Sequence, residues 1–196
     1  MANSRFSHAI AEGDGISVIA AVDDPEAARV AEAQRAEALV VRTDPTAVRE
    51  ATSLPILWRT ASSFEDASTA ADAVMLVFDA LEDDDGRLEA LHGRALELGL
   101  DCAVEVRNEE ELEQALDRID PEIFLLSPLE AERNETPLEV VLDLLAAVPA
   151  GKLAIADLPL TTLDEVAELE RAGVDAVIVQ KGGDVSLLAG GPPPEV

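Results

Sequence analysis

At 196 residues with 48% hydrophobic content, the chain can bury one sizeable core, and two independent domains of ordinary size would be a squeeze. Its 41 acidic and 14 basic residues give a formal net charge of −27, which disfavours contact with a nucleic-acid backbone. No apolar run is long enough to cross a membrane, no export signal opens the chain, and the single cysteine, Cys102, has no partner for an internal disulfide, in keeping with a reducing cytoplasm. The acidity reads as adaptation to a salty cytoplasm, where ions screen the self-repulsion; an acidic protein of a mesophile or thermophile is the other reading.

In chain order, a short leading helix carries His8. Four apolar runs follow: ISVIAAV (16–22), EALVVR (37–42), LPILWR (54–59) and ADAVMLVF (71–78). An acidic run, Glu82 to Asp85, then precedes Gly86. Such a run before a helix caps it and complements its dipole more often than it chelates a cation. The segment GRLEALHGRALELGL (86–100) has apolar residues at three- and four-residue spacing, ends near Gly99 and contains His92. With no second histidine or cysteine at ligand spacing, neither His8 nor His92 marks a metal site.

The alternation continues with DCAVEV (101–106), a helix over EEELEQALDRI (109–119) capped by Asn108, EIFLLS (122–127), and a helix over PLEVVLDLLAAV (137–148). KLAIAD (152–157) leads to a helix over TLDEVAELERAG (162–173), with Thr161 or Thr162 as cap and Gly173 at its end, and VDAVIVQ (174–180) follows. The tail GGPPPEV (190–196) has the composition of a disordered end. That leaves residues 1–189 as one domain with no full eighth helix after Lys181.

Eight β units joined by helical crossovers make a parallel sheet covered by helices. Eight of them favour a closed (β/α)8 barrel. An open doubly wound sheet would carry a glycine-rich turn after the first strand, and Val22-Asp23-Asp24-Pro25 is not one. The groove left by the absent last helix is a surface that a second copy of the chain would cover, giving a homodimer.

Read together, ISVIAAV (16–22), LGLDCAVEVRNEEELEQAL (98–116), PLEVVLDLLAAVPAGKLAIAD (137–157) and LERAGVDAVIVQ (169–180) resemble indole-3-glycerol-phosphate synthase, a carboxy-lyase of tryptophan biosynthesis. AEAQRAEALVVRTD (31–44) and ADAVMLVFDAL (71–81) match its second and fourth units, so the resemblance runs through nearly the whole chain in order. It implies a shortened barrel of that fold, with no cofactor and no metal.

The resemblance places the family's first-strand glutamate and lysine on Ala21 and Asp23, and its third-strand lysine, the general acid of ring closure, on Arg59. An arginine keeps its proton near neutral pH and is a poor donor. The fifth-strand glutamate is kept as Glu105. The sixth-strand asparagine becomes Ser127 and the seventh-strand glutamate becomes Asp157. Leu158 and Pro159 replace a serine and glycine that hold phosphate, and proline has no N–H to give. Gln180, Lys181 and Gly182 stand where the family has its phosphate turn, with Gly182-Gly183 as a weak anion nest.

Active sites of this fold lie at the carboxyl ends of the strands, which here carry Asp23, Arg42, Arg59, Asp79, Glu105, Arg107, Asp157 and Lys181. Two readings stand. In one, Arg42, Arg107, Ser127, Lys181 and Gly182 hold a small anionic ligand, with Arg59, Glu105 and Asp157 as the catalytic candidates. In the other, these charges compensate one another in a site that has lost ring closure and serves binding, regulation or structure. An active synthase, or a lyase or isomerase acting on another small anion, is the alternative. Cys102 and Trp58 read as packing residues.

Overall fold

The computed structural model describes residues 5–11, 15–59, 69–77, 86–128, 136–160, 162–183 and 185. Its strands are β1 (Ser17–Val22), β2 (Ala38–Val41), β3 (Ile56–Arg59), β4 (Ala73–Val77), β5 (Asp101–Val106), β6 (Ile123–Leu126), β7 (Leu153–Ala156) and β8 (Ala176–Val179). Each pairs in parallel with the next, and β1 pairs with β8, closing the (β/α)8 barrel expected from the sequence. Asp79, the acidic run 82–85, Thr161, the region of an eighth helix apart from Val185, and the tail 190–196 lie outside the described residues.

Helix α1 (Arg5–Ala11) precedes the barrel; α2 (Pro25–Ala33), α3 (Thr46–Arg49), α4 (Arg87–Glu97), α5 (Glu109–Arg118), α6 (Pro137–Ala147) and α7 (Leu163–Ala172) lie between strands. Local chemistry sets their ends. The Asn108 side chain accepts from Glu111 N–H, and Thr136 and Thr162 each form a reciprocal capping box, with Glu139 and Glu165. Gly173 stops α7 at φ 100°, a left-handed conformation that costs a β-carbon-bearing residue dearly.

Alternation along the strands divides the core in two. Ile19, Val40, Leu57, Met75, Ala103, Leu125, Ile155 and Ile178, one from each strand, form the packed barrel interior. Their neighbours, among them Val18, Leu39, Val74, Val104 and Val177, pack outward with Ala28, Leu88, Leu112, Leu144 and Leu169 of the helices. Trp58 packs with this outer layer, as does Cys102, whose thiol burial pushes up to about 12. Such a thiol is no nucleophile at neutral pH.

The amino end of the barrel is closed by α1. Phe6 and Ile10, fully or almost fully buried, join the interior cluster. Ser7 N–H donates to Asp101 at 2.9 Å, at the start of β5. A recurring device reinforces this end: Glu37, Asp72 and Asp175, each one residue before a strand, accept from the N–H groups of Val18, Ile56 and Ala154 on the preceding strand at 3.0, 2.9 and 2.7 Å. Asp72 also takes the Arg49 guanidinium at 2.9 Å. With its amino end filled and pinned, the barrel leaves chemistry to the opposite rim.

Candidate functional site

The inward-facing series of each strand continues to the carboxyl rim. Arg42 follows Val40, Arg59 follows Leu57, Glu105 follows Ala103, Asp157 follows Ile155 and Gln180 follows Ile178, each two residues on and so on the same face. Polar side chains from β2, β3, β5, β7 and β8 thereby crown the apolar interior.

Two sets of contacts organise this crown. Across the mouth, Arg59 Nη2 donates to both Glu105 carboxylate oxygens, at 3.1 and 2.8 Å. The Glu105 side chain is only 3% exposed, and that of Arg59 is 30% exposed. A carboxylate so far from water needs a counter-charge, and Arg59 supplies it. The second set is a chain: Arg42 Nη2 donates to Gln180 Oε1 at 3.1 Å, and Gln180 Nε2 donates to Asp157 Oδ1. Because β1 lies between β2 and β8, Arg42 and Gln180 meet over β1, whose inward residue near the rim is the small Ala21.

Burial raises the Asp157 carboxyl above its ordinary value. Arg42 and Arg59 oppose the rise, as does the Gln180 hydrogen bond, while Glu105 adds to it. A carboxyl with a raised folded-state pKa stabilises the fold fully below its unfolded pKa, and that contribution is lost as pH rises through the folded value. Asp157→Asn, which keeps an acceptor for Gln180 and removes the ionisation, is therefore expected to match or exceed the parent in stability at pH 7. The difference should vanish as pH falls toward about 4, the ordinary aspartate range. Urea unfolding of both proteins across that interval measures it; a variant less stable at pH 7 would mean that the aspartate charge is needed.

The remaining sequence-predicted residues divide. Lys181 reaches Asp23 at 2.7 Å in a pair exposed on both sides, an arrangement that adds little stability. Ser127, buried at the end of β6, donates its N–H to Val106. Gly182 sits at φ 86° in a tight turn, and the Gly183 N–H donates to Gln180 O at 2.9 Å. That bond takes one of the two donors expected of an anion nest there. Arg107, expected among the ligand clamps, is instead engaged by Glu111 one helical turn on, at 2.6 to 3.1 Å through Nη2 and Nε. Glu111 is held at the start of α5, where its Oε2 also takes the Arg107 backbone N–H at 2.8 Å. Arg107 thus braces the β5–α5 junction.

The sequence places Gln180 at the family's phosphate-turn position and does not show its link to Arg42 and Asp157. Its signal was its place two residues after Ile178, in register with Asp157 after Ile155. Among the described residues no group of three or more histidine, cysteine, aspartate or glutamate side chains is placed to hold a metal ion, and no helix is long and apolar enough to cross a membrane.

Comparison with known proteins agrees with this architecture. Among solved structures, the barrel is similar to the thiamine phosphate pyrophosphorylase of Pyrococcus furiosus, with a TM-score of 0.66 at 17% identity, covering 88% of this chain and 93% of that one. A putative phosphonomutase from Burkholderia cenocepacia gives 0.63 at 15% identity, over 92% and 93% of the two chains. At these identities the likeness is one of fold. Among curated sequences, the indole-3-glycerol phosphate synthase of Magnetococcus marinus is 32% identical over 158 residues, 75% of this chain and 54% of that protein. Those of Geobacillus kaustophilus and Halalkalibacterium halodurans are 30% and 28% identical, over 80% and 76% of this chain and 66% and 63% of theirs. The chain thus spans between about half and two thirds of the length of these relatives. The family model for indole-3-glycerol phosphate synthase matches residues 16–183, from the first barrel strand to the turn after the last, and the chain belongs to that family.

Proposed function

We propose that this barrel has lost ring closure and keeps its mouth as a binding site for a small anionic ligand, serving a binding or regulatory role. The observation that carries the reading is the Arg59–Glu105 pair. By resemblance, Arg59 stands where the family keeps its general-acid lysine. An arginine is a poor proton donor, and the Arg59 guanidinium donates to both oxygens of the one glutamate retained from the family pattern. The positions corresponding to acid and carboxylate thus neutralise each other. Leu158, Pro159 and the self-bonded Gln180–Gly183 turn replace the donors that would hold a phosphate.

A second reading, a working synthase, is supported by the relatives, which are indole-3-glycerol phosphate synthases, and by Asp157, whose raised pKa brings a carboxyl closer to the range of a useful proton donor. Indole fluorescence separates the two. The assay follows turnover of the family's carboxyphenylamino-deoxyribulose phosphate substrate in folded protein. It is run at low and at molar salt because the net charge of −27 fits a protein adapted to a salty cytoplasm. The first reading expects no turnover at either salt level.

A further inference from the structure

We infer that Arg42 is the seat of the ligand's anionic group and that the ligand is a monoanion of carboxylate type, which takes the place Gln180 now occupies on the guanidinium. The inference rests on the anion-binding reading above and deepens it. Its ground is the difference among the four cations assigned to the mouth from the sequence. Arg59 has Glu105 at 2.8 Å, Lys181 has Asp23 at 2.7 Å and Arg107 has Glu111 at 2.6 Å. Among the described residues, Arg42 has as its hydrogen-bond partner the neutral Gln180 amide, at 3.1 Å.

An amide oxygen satisfies a guanidinium N–H without neutralising its charge. The carboxyl that feels Arg42, Asp157, stands beyond the Gln180 side chain, and its burial disfavours the charge that would make it an effective counter-ion. Arg42 is also exposed, so an incoming anion reaches it without first breaking a buried ion pair. A carboxylate matches the guanidinium fork with two parallel bonds, whereas one amide oxygen offers a single acceptor. Single negative charge is favoured because the chain as a whole is strongly acidic, and a dianion meets that repulsion twice. On the protein side, the Gln180 amide can keep its donor bond to Asp157 while water takes the place of Arg42 on its oxygen.

The test is a titration of isotope-labelled full-length protein with acetate, and separately with inorganic phosphate, at constant ionic strength, reading the Gln180 side-chain amide by NMR. The expected result is a saturable shift with acetate, weaker with phosphate. Arg42→Gln should weaken acetate binding by about tenfold or more, as loss of a charge-assisted pair does, and Arg171→Gln, at an exposed position of α7, should leave it unchanged. A shift that survives intact in folded Arg42→Gln overturns the assignment of Arg42 and leaves anion binding elsewhere in the mouth standing. Tighter binding of phosphate than of acetate overturns the monoanion assignment. No saturable response to either anion in the parent protein removes the ligand reading as well, while loss of ring closure is judged independently by turnover.

Discussion

Arg59→Leu is expected to destabilise the protein by about 3 kcal/mol, the low end of the range for breaking a buried ion pair, because the arginine side retains some contact with water. The loss comes from what is left behind. Glu105, 3% exposed, would stay in the barrel mouth with no guanidinium on either oxygen. The double variant Arg59→Leu/Glu105→Leu should regain most of the deficit, since removing both charges also removes the cost of burying them. Urea unfolding of the parent, both single variants and the double variant in molar potassium chloride measures the coupling. A single-variant loss below about 1 kcal/mol, in the range of exposed pairs, would mean that water already reaches Glu105 and that the pair does not close the mouth.

The second large effect lies at the other end of the barrel. Phe6→Ala should cost roughly 3 to 5 kcal/mol, the range for emptying a buried phenylalanine site. Phe6 is fully buried and packs with the barrel interior from a helix of seven residues that precedes β1. Val30→Ala, at a half-exposed position on α2, should change stability by no more than about 0.5 kcal/mol and serves as the control. A small loss at Phe6 would show that α1 detaches without cost to the barrel, and would count against its role as the plug of the amino end.

The strands, the parallel order and most helix ends were legible in the sequence because each rests on a local signal. Apolar runs bounded by turn residues gave β1 to β8; Asn108, Thr162 and Gly173 gave caps through their own chemistry. The plug was not legible, because Phe6 and Ile10 show no more than an apolar pair in a short helix until the barrel closes beneath them. The strand-start acids did leave a trace, an acid followed by alanine at Glu37–Ala38, Asp72–Ala73 and Asp175–Ala176, repeated at the head of three strands.

At the site, period-two alternation placed Glu105 on the inward face, and the geometry adds Arg59 as its partner across the mouth. The same alternation put Arg107 on the inward series, but Arg107 stands one residue past the end of β5. There the helical spacing to Glu111 outweighs strand parity. Gln180 was legible only as an occupant of the phosphate-turn position, because a neutral amide takes its part through the two groups it joins, Arg42 and Asp157, which lie 138 and 23 residues away in sequence.

Turnover shows directly whether this barrel has lost ring closure. Folded protein, supplied with the family's carboxyphenylamino-deoxyribulose phosphate substrate and followed by indole fluorescence at low and molar salt, is predicted to form no indole-3-glycerol phosphate. Formation of that product, abolished by Glu105→Gln, would overturn the loss of ring closure and make the Arg59–Glu105 pair part of a working catalytic site.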